Sequence, residues 1–159
     1  MVYQKKFKFH ILLHELLSPL YSFYFKYKWY SKFPNSRINF LCYPSKNSNI
    51  VIGENTTGDD IYLYGADVFK AKLTIGKNVR IGRNVAFVIA YTHEKGNPKN
   101  EPNIPSEIII GDNVWIGHGA IILPNVKIGN GSTIGAGAVV TRNIPAKSIA
   151  IGSPAKIKK

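Results

Sequence analysis

Histidine is the side chain best suited to take up and return a proton at neutral pH. His93 stands in the stretch YTHEKGNPKNEPNIPSE, which also holds three carboxylates, Glu94, Glu101 and Glu107. A carboxylate beside an imidazole can hold the ring in one tautomer, so this stretch is a candidate for proton-transfer chemistry. His118 is the only other histidine after residue 46.

A spacing of six residues indicates the elements that would hold these side chains. One block, with a glycine directly after four of its members, consists of Ile110, Ile116, Ile122, Ile128, Ile134 and Val140. An upstream block consists of Leu63, Phe69, Ile75, Ile81 and Phe87, with Leu73, Val79, Val85 and Tyr91 four places after the last four of them. Ile52 with Gly53 indicates an earlier turn, out of phase with Leu63 because 63 − 52 is 11.

A period of six is explained if each repeat forms one short strand and one bend. Three repeats then complete a coil of about 18 residues, and neighbouring coils hydrogen-bond at roughly 4.8 Å. Every sixth side chain points inward, and Gly or Asn relieves corners where positive φ is demanded. The asparagines placed at such bends are Asn78, Asn84, Asn113, Asn125 and Asn130. The sequence predicts an all-β parallel β-helix, with two complete coils in residues 110–145.

The repeat breaks between Phe87 and Ile110, which are 23 residues apart. The residues between them, at about 92–107, are rich in Pro, Asn, Gly and charge, which predicts a loop extruded from a coil. Active sites collect on loops that a rigid scaffold holds. His93 opens this loop where the strand through Tyr91 is expected to end.

The first 45 residues differ from the rest in composition. Of 19 aromatic residues, 13 lie in residues 1–43, together with seven basic residues and a single acid. An apolar helical stripe is formed by Phe9, Leu12, Leu13, Leu16, Leu17 and Leu20, and the polar stripe includes His10 and His14, which are assigned no chemistry. We therefore expect an amphipathic helical segment over residues 1–45 and a β-helix domain over residues 46–159.

Charge and cysteine usage limit the partners and the compartment. With 21 Lys and Arg against 9 Asp and Glu, the net charge is +12, which favours an anionic partner such as phosphate, an acidic glycan, nucleic acid or a membrane surface. Cys42 is the only cysteine, so no internal disulfide can form. The N-terminal run lacks a cleavage site and is too interrupted to span a bilayer. The sequence predicts a cytoplasmic protein, with peripheral contact at the inner membrane surface left open.

Over residues 50–159 the sequence resembles the hexapeptide-repeat acyltransferases. The resemblance rests on the Ile-Gly repeats, on the WIG of residues 115–117, and on the closing stretches IGAGAVVTRNIP and IGSPAKIKK. It implies a left-handed parallel β-helix and an acetyl-CoA-dependent O-acetyltransferase of the type that modifies sugars and polysaccharides. Family members carry a catalytic histidine at the start of a comparable loop, which implies that His93 is the general base. Glu94 is the favoured orienting carboxylate, with Glu101 and Glu107 as alternatives.

The same resemblance implies where coenzyme A binds. By position, the backbone N–H of His118 would face the thioester and that of Ala136 the pantetheine arm. Thr141 and Arg142 would contact the arm and the phosphates, and Lys156 and Lys159 the 3′-phosphate end, where basic residues can form charge-assisted hydrogen bonds. No metal is expected. Family members are homotrimers whose coenzyme A grooves lie between subunits, so a homotrimer is expected here.

The acceptor is left open by the sequence. A hydroxyl of a carbohydrate in surface polysaccharide synthesis is favoured, with an amine as the alternative acceptor group. One alternative is a serine acetyltransferase, although its Asp-His-Gly-Thr-Gly stretch is absent. A second is a non-catalytic β-helix that serves as a binding scaffold. A zinc carbonic anhydrase of this fold needs three histidine ligands, whereas His93 and His118 are the only two histidines in the β-helix domain, and nothing resembles a nucleic-acid-binding module.

Overall fold

A computed structural model of the chain describes residues 35–40, 49–65, 70–91 and 104–158, all within the unit 33–159. These residues form short strands and no helix. In chain order the strands are β1 Arg37–Phe40, β2 Asn49–Ile52, β3 Thr57–Tyr64, β4 Lys72–Ile75, β5 Arg80–Ile81, β6 Ala86–Val88, β7 Ala90–Tyr91, β8 Ile104–Pro105, β9 Glu107–Ile110, β10 Trp115–Ile116, β11 Ile121–Ile122, β12 Lys127–Ile128, β13 Thr133–Ile134, β14 Val139–Val140, β15 Ile149–Ile151 and β16 Lys156–Ile157.

The strands wind into a parallel β-helix with three faces. The first face stacks β2, β4, β9 and β12, and the second stacks the start of β3, then β5, β10, β13 and β15. The third face stacks the end of β3, then β6, β11 and β14. Coil 1 consists of β2 and β3, coil 2 of β4 to β6, coil 3 of β9 to β11 and coil 4 of β12 to β14. The predicted parallel β-helix is confirmed, with two complete coils after the break.

The residues spaced by six fill the interior of the coil. Those of the later block are each 2% exposed or less: Ile110, Ile116, Ile122, Ile128, Ile134 and Val140. In the earlier block Leu63, Ile75, Ile81 and Phe87 are likewise buried, as are Leu73, Val79 and Val85, while Phe69 lies outside the described residues. Aliphatic side chains of similar size therefore stack on one another from coil to coil, which removes their apolar surface from water.

The sequence suggested that glycines near the inward isoleucines relieve corners with positive φ. The structure gives a different reason for the glycine that directly follows an inward isoleucine. None of Gly111, Gly117, Gly129 and Gly135 has positive φ. A Cβ built on Gly117 would instead lie 2.5 Å from the backbone nitrogen of Ala136 in the next coil, and one on Gly53 would lie 2.5 Å from the carbonyl carbon of Gly76. These positions are glycine because successive coils approach each other too closely for a side chain.

Positive φ falls three residues after the inward position, often on asparagine. Four of the five predicted asparagines adopt it, with φ between 56° and 62°: Asn78, Asn84, Asn113 and Asn125. Asn130 does not, because Gly131 beside it takes the positive φ. Along the corner between the first and second faces, Asn55 Nδ2 donates to Asn78 Oδ1 at 3.3 Å, and Asn78 Nδ2 to Asn113 Oδ1 at 3.2 Å. Asparagine therefore both tolerates the bend and links neighbouring coils.

Coil 1 explains the break in phase at Ile52. Ile52 pairs with Ile75 on the first face, Gly58 with Ile81 on the second and Leu63 with Phe87 on the third. Leu63 comes five positions after Gly58, whereas in coil 2 Phe87 comes six positions after Ile81. The shorter corner lets β3 continue through it as one eight-residue strand.

Strand β1 extends the structure before coil 1. It pairs in parallel with β3, and its Phe40 is 3% exposed. This strand falls inside residues 1–45, for which the sequence suggested a helix; residues 1–34 and 41–45 lie outside the described ranges. Among the residues that the structure describes, no helix is long and apolar enough to cross a membrane.

Candidate active site

The predicted loop leaves the β-helix between coils 2 and 3, after the third face. Its base is closed by β7 and β8, which pair antiparallel with Tyr91 opposite Ile104. The last part of the predicted loop range 92–107 is not loop, because residues 104–105 and 107–110 belong to strands. The strand through Tyr91 ends as predicted, two residues before His93. His93, Glu94 and Glu101 lie outside the described residues.

Glu107 is the one candidate carboxylate within the described ranges. It begins β9 on the first face, where its carboxylate pairs with the Lys72 ammonium of the preceding coil at 2.9 Å. Both side chains are partly exposed, so the pair contributes little to stability. Engagement with Lys72 makes Glu107 a weaker candidate than Glu94 for orienting His93.

The corner between the second and third faces, here called the second corner, holds two predicted contacts of coenzyme A. His118 stands at this corner in coil 3, and the N–H of Arg83, one coil earlier, donates to its Nδ1 at 2.8 Å. Ala136 follows in coil 4, where the N–H of Gly137 donates to the His118 carbonyl at 2.8 Å. Both residues are exposed. The fold therefore stacks the two predicted positions along one edge, as the resemblance requires.

Thr141 and Arg142 lie on the opposite edge of the third face. They directly follow β14, and residues 137–140 separate them from Ala136. Both are exposed. This edge is also the one from which the His93 loop leaves, two coils earlier. The candidate residues thus border the third face on both sides.

Lys156 approaches the same region from the last strand. Strand β16 turns back antiparallel onto β15, with Lys156 opposite Ile151, and the N–H of Ala155 donates to the Val139 carbonyl of β14 at 2.8 Å. Lys156 is exposed. Lys159, the other predicted contact of the 3′-phosphate, lies outside the described residues.

Electrostatics differ between the two ends of the β-helix. The ion pairs of the described residues all lie in coils 1 to 3: Lys72 with Glu107, Lys77 with Glu54, and Arg83 with Asp60. No Asp or Glu occurs after Asp112, whereas the basic residues there are Lys127, Arg142, Lys147, Lys156, Lys158 and Lys159. This end is suited to a polyanion such as coenzyme A. Within the described ranges, no three His, Cys, Asp or Glu side chains come together as metal ligands.

Two tyrosines on the third face were not assigned from the sequence. Tyr62 and Tyr64 alternate with buried Ile61 and Leu63 on β3, so both rings face outward. Their planes differ by 7° and their centroids are 6.1 Å apart. Tyr64 pairs with Val88 on β6, the strand that leads to the His93 loop. The alternation Ile-Tyr-Leu-Tyr in residues 61–64 is the signal that could have identified this pair.

Comparisons with known proteins agree with this architecture. Residues 107–142 match the family described as bacterial transferase hexapeptide (six repeats). The chain is 31% identical over 151 residues to a protein of Escherichia coli K12 provisionally named lipopolysaccharide biosynthesis O-acetyl transferase WbbJ. The alignment covers 77% of this chain and 77% of that protein. It spans about half the length of most of the other curated relatives that it matches.

Solved structures give the same relationship. A maltose O-acetyltransferase from Clostridium difficile 630 superposes with a TM-score of 0.68 at 36% identity, covering 78% of this chain and 65% of that one. A hexapeptide-repeat acetyltransferase from Vibrio cholerae, solved with acetyl coenzyme A bound, superposes with a TM-score of 0.67 at 28% identity, covering 79% and 70%. Together with the three-faced coil, these similarities confirm the family that the sequence resembles: the chain belongs to the hexapeptide-repeat acetyltransferases.

Proposed function

We propose that this chain is an acetyl-CoA-dependent O-acetyltransferase that acts on a hydroxyl of a carbohydrate acceptor, in surface polysaccharide synthesis. The observation that carries the proposal is the antiparallel pair β7 and β8 at one edge of the third face, because His93 lies in the sequence between these two strands. Four residues that we propose as coenzyme A contacts lie at the edges of that same face: His118, Ala136, Thr141 and Arg142. The maltose and lipopolysaccharide relatives support a sugar acceptor.

In this proposal the acceptor hydroxyl attacks the thioester carbonyl of acetyl-CoA directly. A sugar hydroxyl is a poor nucleophile at neutral pH, so a base must remove its proton as the new C–O bond forms. The imidazole of His93 takes that proton, and Glu94 holds the ring in the tautomer that can do so. The C–S bond then breaks, and the imidazolium returns the proton to the departing thiolate. The products are an acetyl ester and coenzyme A.

Coenzyme A would lie along the basic end of the β-helix. The backbone at His118 and Ala136 would contact the acyl end and the pantetheine arm, Thr141 and Arg142 the arm and phosphates, and Lys156 and Lys159 the 3′-phosphate. The described members of this set are exposed, and no carboxylate among the described residues neutralises Arg142 or Lys156. Their charges are therefore available to phosphate groups.

The tyrosine pair supports a carbohydrate acceptor. Aromatic rings offer a flat apolar surface with a hydroxyl at the rim, which suits the C–H face and hydroxyls of a pyranose. Replacing both Tyr62 and Tyr64 by Ala should raise the acceptor KM about tenfold and leave the acetyl-CoA KM unchanged. Val51, 53% exposed on the first face, supplies the control, since Val51→Ala should alter neither constant. An unchanged acceptor KM in the double variant would exclude the tyrosine pair from acceptor binding.

The assembly and location belong to the same proposal. We propose that the active enzyme is a homotrimer in the cytoplasm, with its coenzyme A grooves between subunits. Its basic, aromatic N-terminal segment would pack on protein or at the inner membrane surface. Exposed apolar side chains on the second face, namely Trp115, Ile149 and Ile151, support burial of that face by another subunit.

A thiol-release assay tests the proposal. Purified chain is incubated with acetyl-CoA and, separately, with nucleotide sugars, simple sugars, oligosaccharides and serine. Release that depends on a carbohydrate is the expected result. Release with serine alone would replace the proposal by a serine acetyltransferase, and release with none of the acceptors would favour a binding scaffold.

A further inference from the structure

One position of the repeat has a hydrogen-bonding task that recurs from coil to coil. After three of the Ile-Gly pairs, the next residue directs its N–H toward the next coil, where the side chain at the equivalent position accepts it. Lys77 N–H donates to Asp112 Oδ1 at 2.7 Å, and Asp112 N–H donates to Asn130 Oδ1 at 3.0 Å. Both bonds lie at the corner between the first and second faces. We call the position after Ile-Gly the corner acceptor position.

At the second corner the acceptor is an imidazole instead of an oxygen. Arg83 N–H donates to His118 Nδ1 at 2.8 Å, in the same position of the repeat as Asp112 and Asn130. Accepting this bond requires a lone pair on Nδ1, so the proton of the neutral ring is on Nε2. Oxygens perform the structural task at the other corner. Histidine at residue 118 adds a second functional group, the Nε2–H.

The Nε2–H is available to a ligand. His118 is exposed, and no acceptor among the described residues takes a hydrogen bond from its Nε2. The chain of corner acceptors also stops here, because the next member at this corner is Ala136, which has no acceptor group. Within the described ranges the backbone N–H of His118 is therefore also without an acceptor. Among the described residues, two N–H donors of His118 are thus without an acceptor at the second corner.

We infer that the Nε2–H of His118 stabilises the oxyanion formed during acetyl transfer. The inference rests on the proposed function, which places the acyl end of acetyl-CoA at this corner. As the acceptor oxygen bonds to the carbonyl carbon, negative charge develops on the carbonyl oxygen, and a preorganised N–H there lowers the barrier. The acceptor proton goes to His93, and it leaves with the thiol when the C–S bond breaks. His118 keeps its proton throughout, so its role differs from that of a base.

Two substitutions separate the donor from the structural task. In His118→Asn, Oδ1 can still accept from Arg83 N–H, as Asn130 does for Asp112, but the donor at the Nε2 position is lost. This variant should keep the wild-type melting temperature and acetyl-CoA KM, while kcat falls on the order of 100-fold. In His118→Gln, the amide Nε2 can occupy the donor position but the acceptor for Arg83 is lost. It should retain more of kcat than His118→Asn and melt at a lower temperature.

Asp112→Asn provides the matched control, because it changes the same position of the repeat at the other corner while retaining an acceptor oxygen. Its kcat and its melting temperature should equal those of the wild type. A wild-type kcat in His118→Asn would overturn the inference, as would a loss of kcat in Asp112→Asn as large as that in His118→Asn.

A measurement of tautomers tests the inference without turnover. Long-range ¹H–¹⁵N correlation spectra of the full chain, at mildly alkaline pH, distinguish Nδ1–H from Nε2–H rings, and the spectrum of His118→Asn identifies the signal of residue 118. We expect the Nε2–H form. The Nδ1–H form would overturn the inference even in an active enzyme, whereas inactivity of the wild type with every acceptor would overturn the proposed function itself.

Discussion

The ring contacts of His118 bear on which histidine of the β-helix domain can act as a base. At His118, Nδ1 is occupied by Arg83 N–H, so the exposed side of the ring is a donor and cannot accept a proton at Nε2. A general base needs the opposite arrangement, with a lone pair directed at the acceptor hydroxyl. This leaves His93 as the residue that we propose for proton removal.

Replacing His93 by Ala should lower kcat by about two to four orders of magnitude, because the base acts in the transition state. Binding of coenzyme A, measured by calorimetry, should be nearly unchanged. His10→Ala serves as the control, because that histidine has no assigned chemistry and should leave both quantities as they are. Activity within a few-fold of wild type in His93→Ala would assign the base to another residue.

The basic residues at the end of the β-helix give a prediction for the donor substrate. Arg142→Ala or Lys156→Ala should raise the acetyl-CoA KM, by more at high salt than at low salt, because long-range attraction from the other basic residues compensates at low salt. Lys77→Ala removes the same charge at the corner between the first and second faces and should leave this KM unchanged. An unchanged KM in both Arg142→Ala and Lys156→Ala would mean that coenzyme A binds along another edge.

Among the elements, the stacking of coils fixes residue types more strictly than any single strand does. Gly53→Ala would place a Cβ 2.5 Å from the carbonyl carbon of Gly76, so the two coils must shift apart. We expect it to lower the free energy of unfolding by about 1–3 kcal/mol, measured by urea denaturation.

Gly137→Asn is the matched control for that substitution. Gly137 has a φ of +66° and no atom within 4 Å of its Cβ position, and Asn84 holds the equivalent place in coil 2 with a φ of 57°. The variant should therefore be close to wild type in stability. A neutral Gly53→Ala would show that the coils can separate without cost, contrary to the stacking that we describe.

The period of six was sufficient to predict the fold, because inward side chains repeat only if each unit of six makes the same strand and bend. It could not give the reason for the glycines, since a close approach between coils depends on residues 16 or more positions apart. The period of six also could not explain the break in phase after Ile52, which comes from a corner shortened by one residue within β3.

At the site, the loop and the candidate edge could be predicted from the break in the repeat and from the resemblance. The bond from Arg83 to His118 could not, because nothing local in WIGHGA indicates a partner 35 residues away. The tyrosine pair was missed because its alternation also suits an ordinary half-buried strand. The roles of His93, Glu94 and the coenzyme A contacts stay predictions.

For the whole molecule, the second face is the surface most in need of a partner. Trp115 is 60% exposed and Ile149 is 49% exposed on strands β10 and β15. If this face is buried in a homotrimer, Ile149→Glu should convert the trimer to monomer by light scattering, since a buried unpaired carboxylate is costly. Val51→Glu, on the first face, should leave the mass unchanged. A wild-type chain that is monomeric at micromolar concentration would contradict the trimer.

The most direct test of the acetyltransferase assignment is the stoichiometry of transfer. Wild-type chain is incubated with acetyl-CoA and a carbohydrate acceptor that supports thiol release in the assay described above. Free thiol and acetylated acceptor are quantified in the same time course, the acetylated acceptor by mass spectrometry. We predict that the two products rise together in a one-to-one ratio and that both depend on His93. Thiol release without acetylated acceptor would indicate a thioesterase, and the absence of both products with a folded protein would contradict the account.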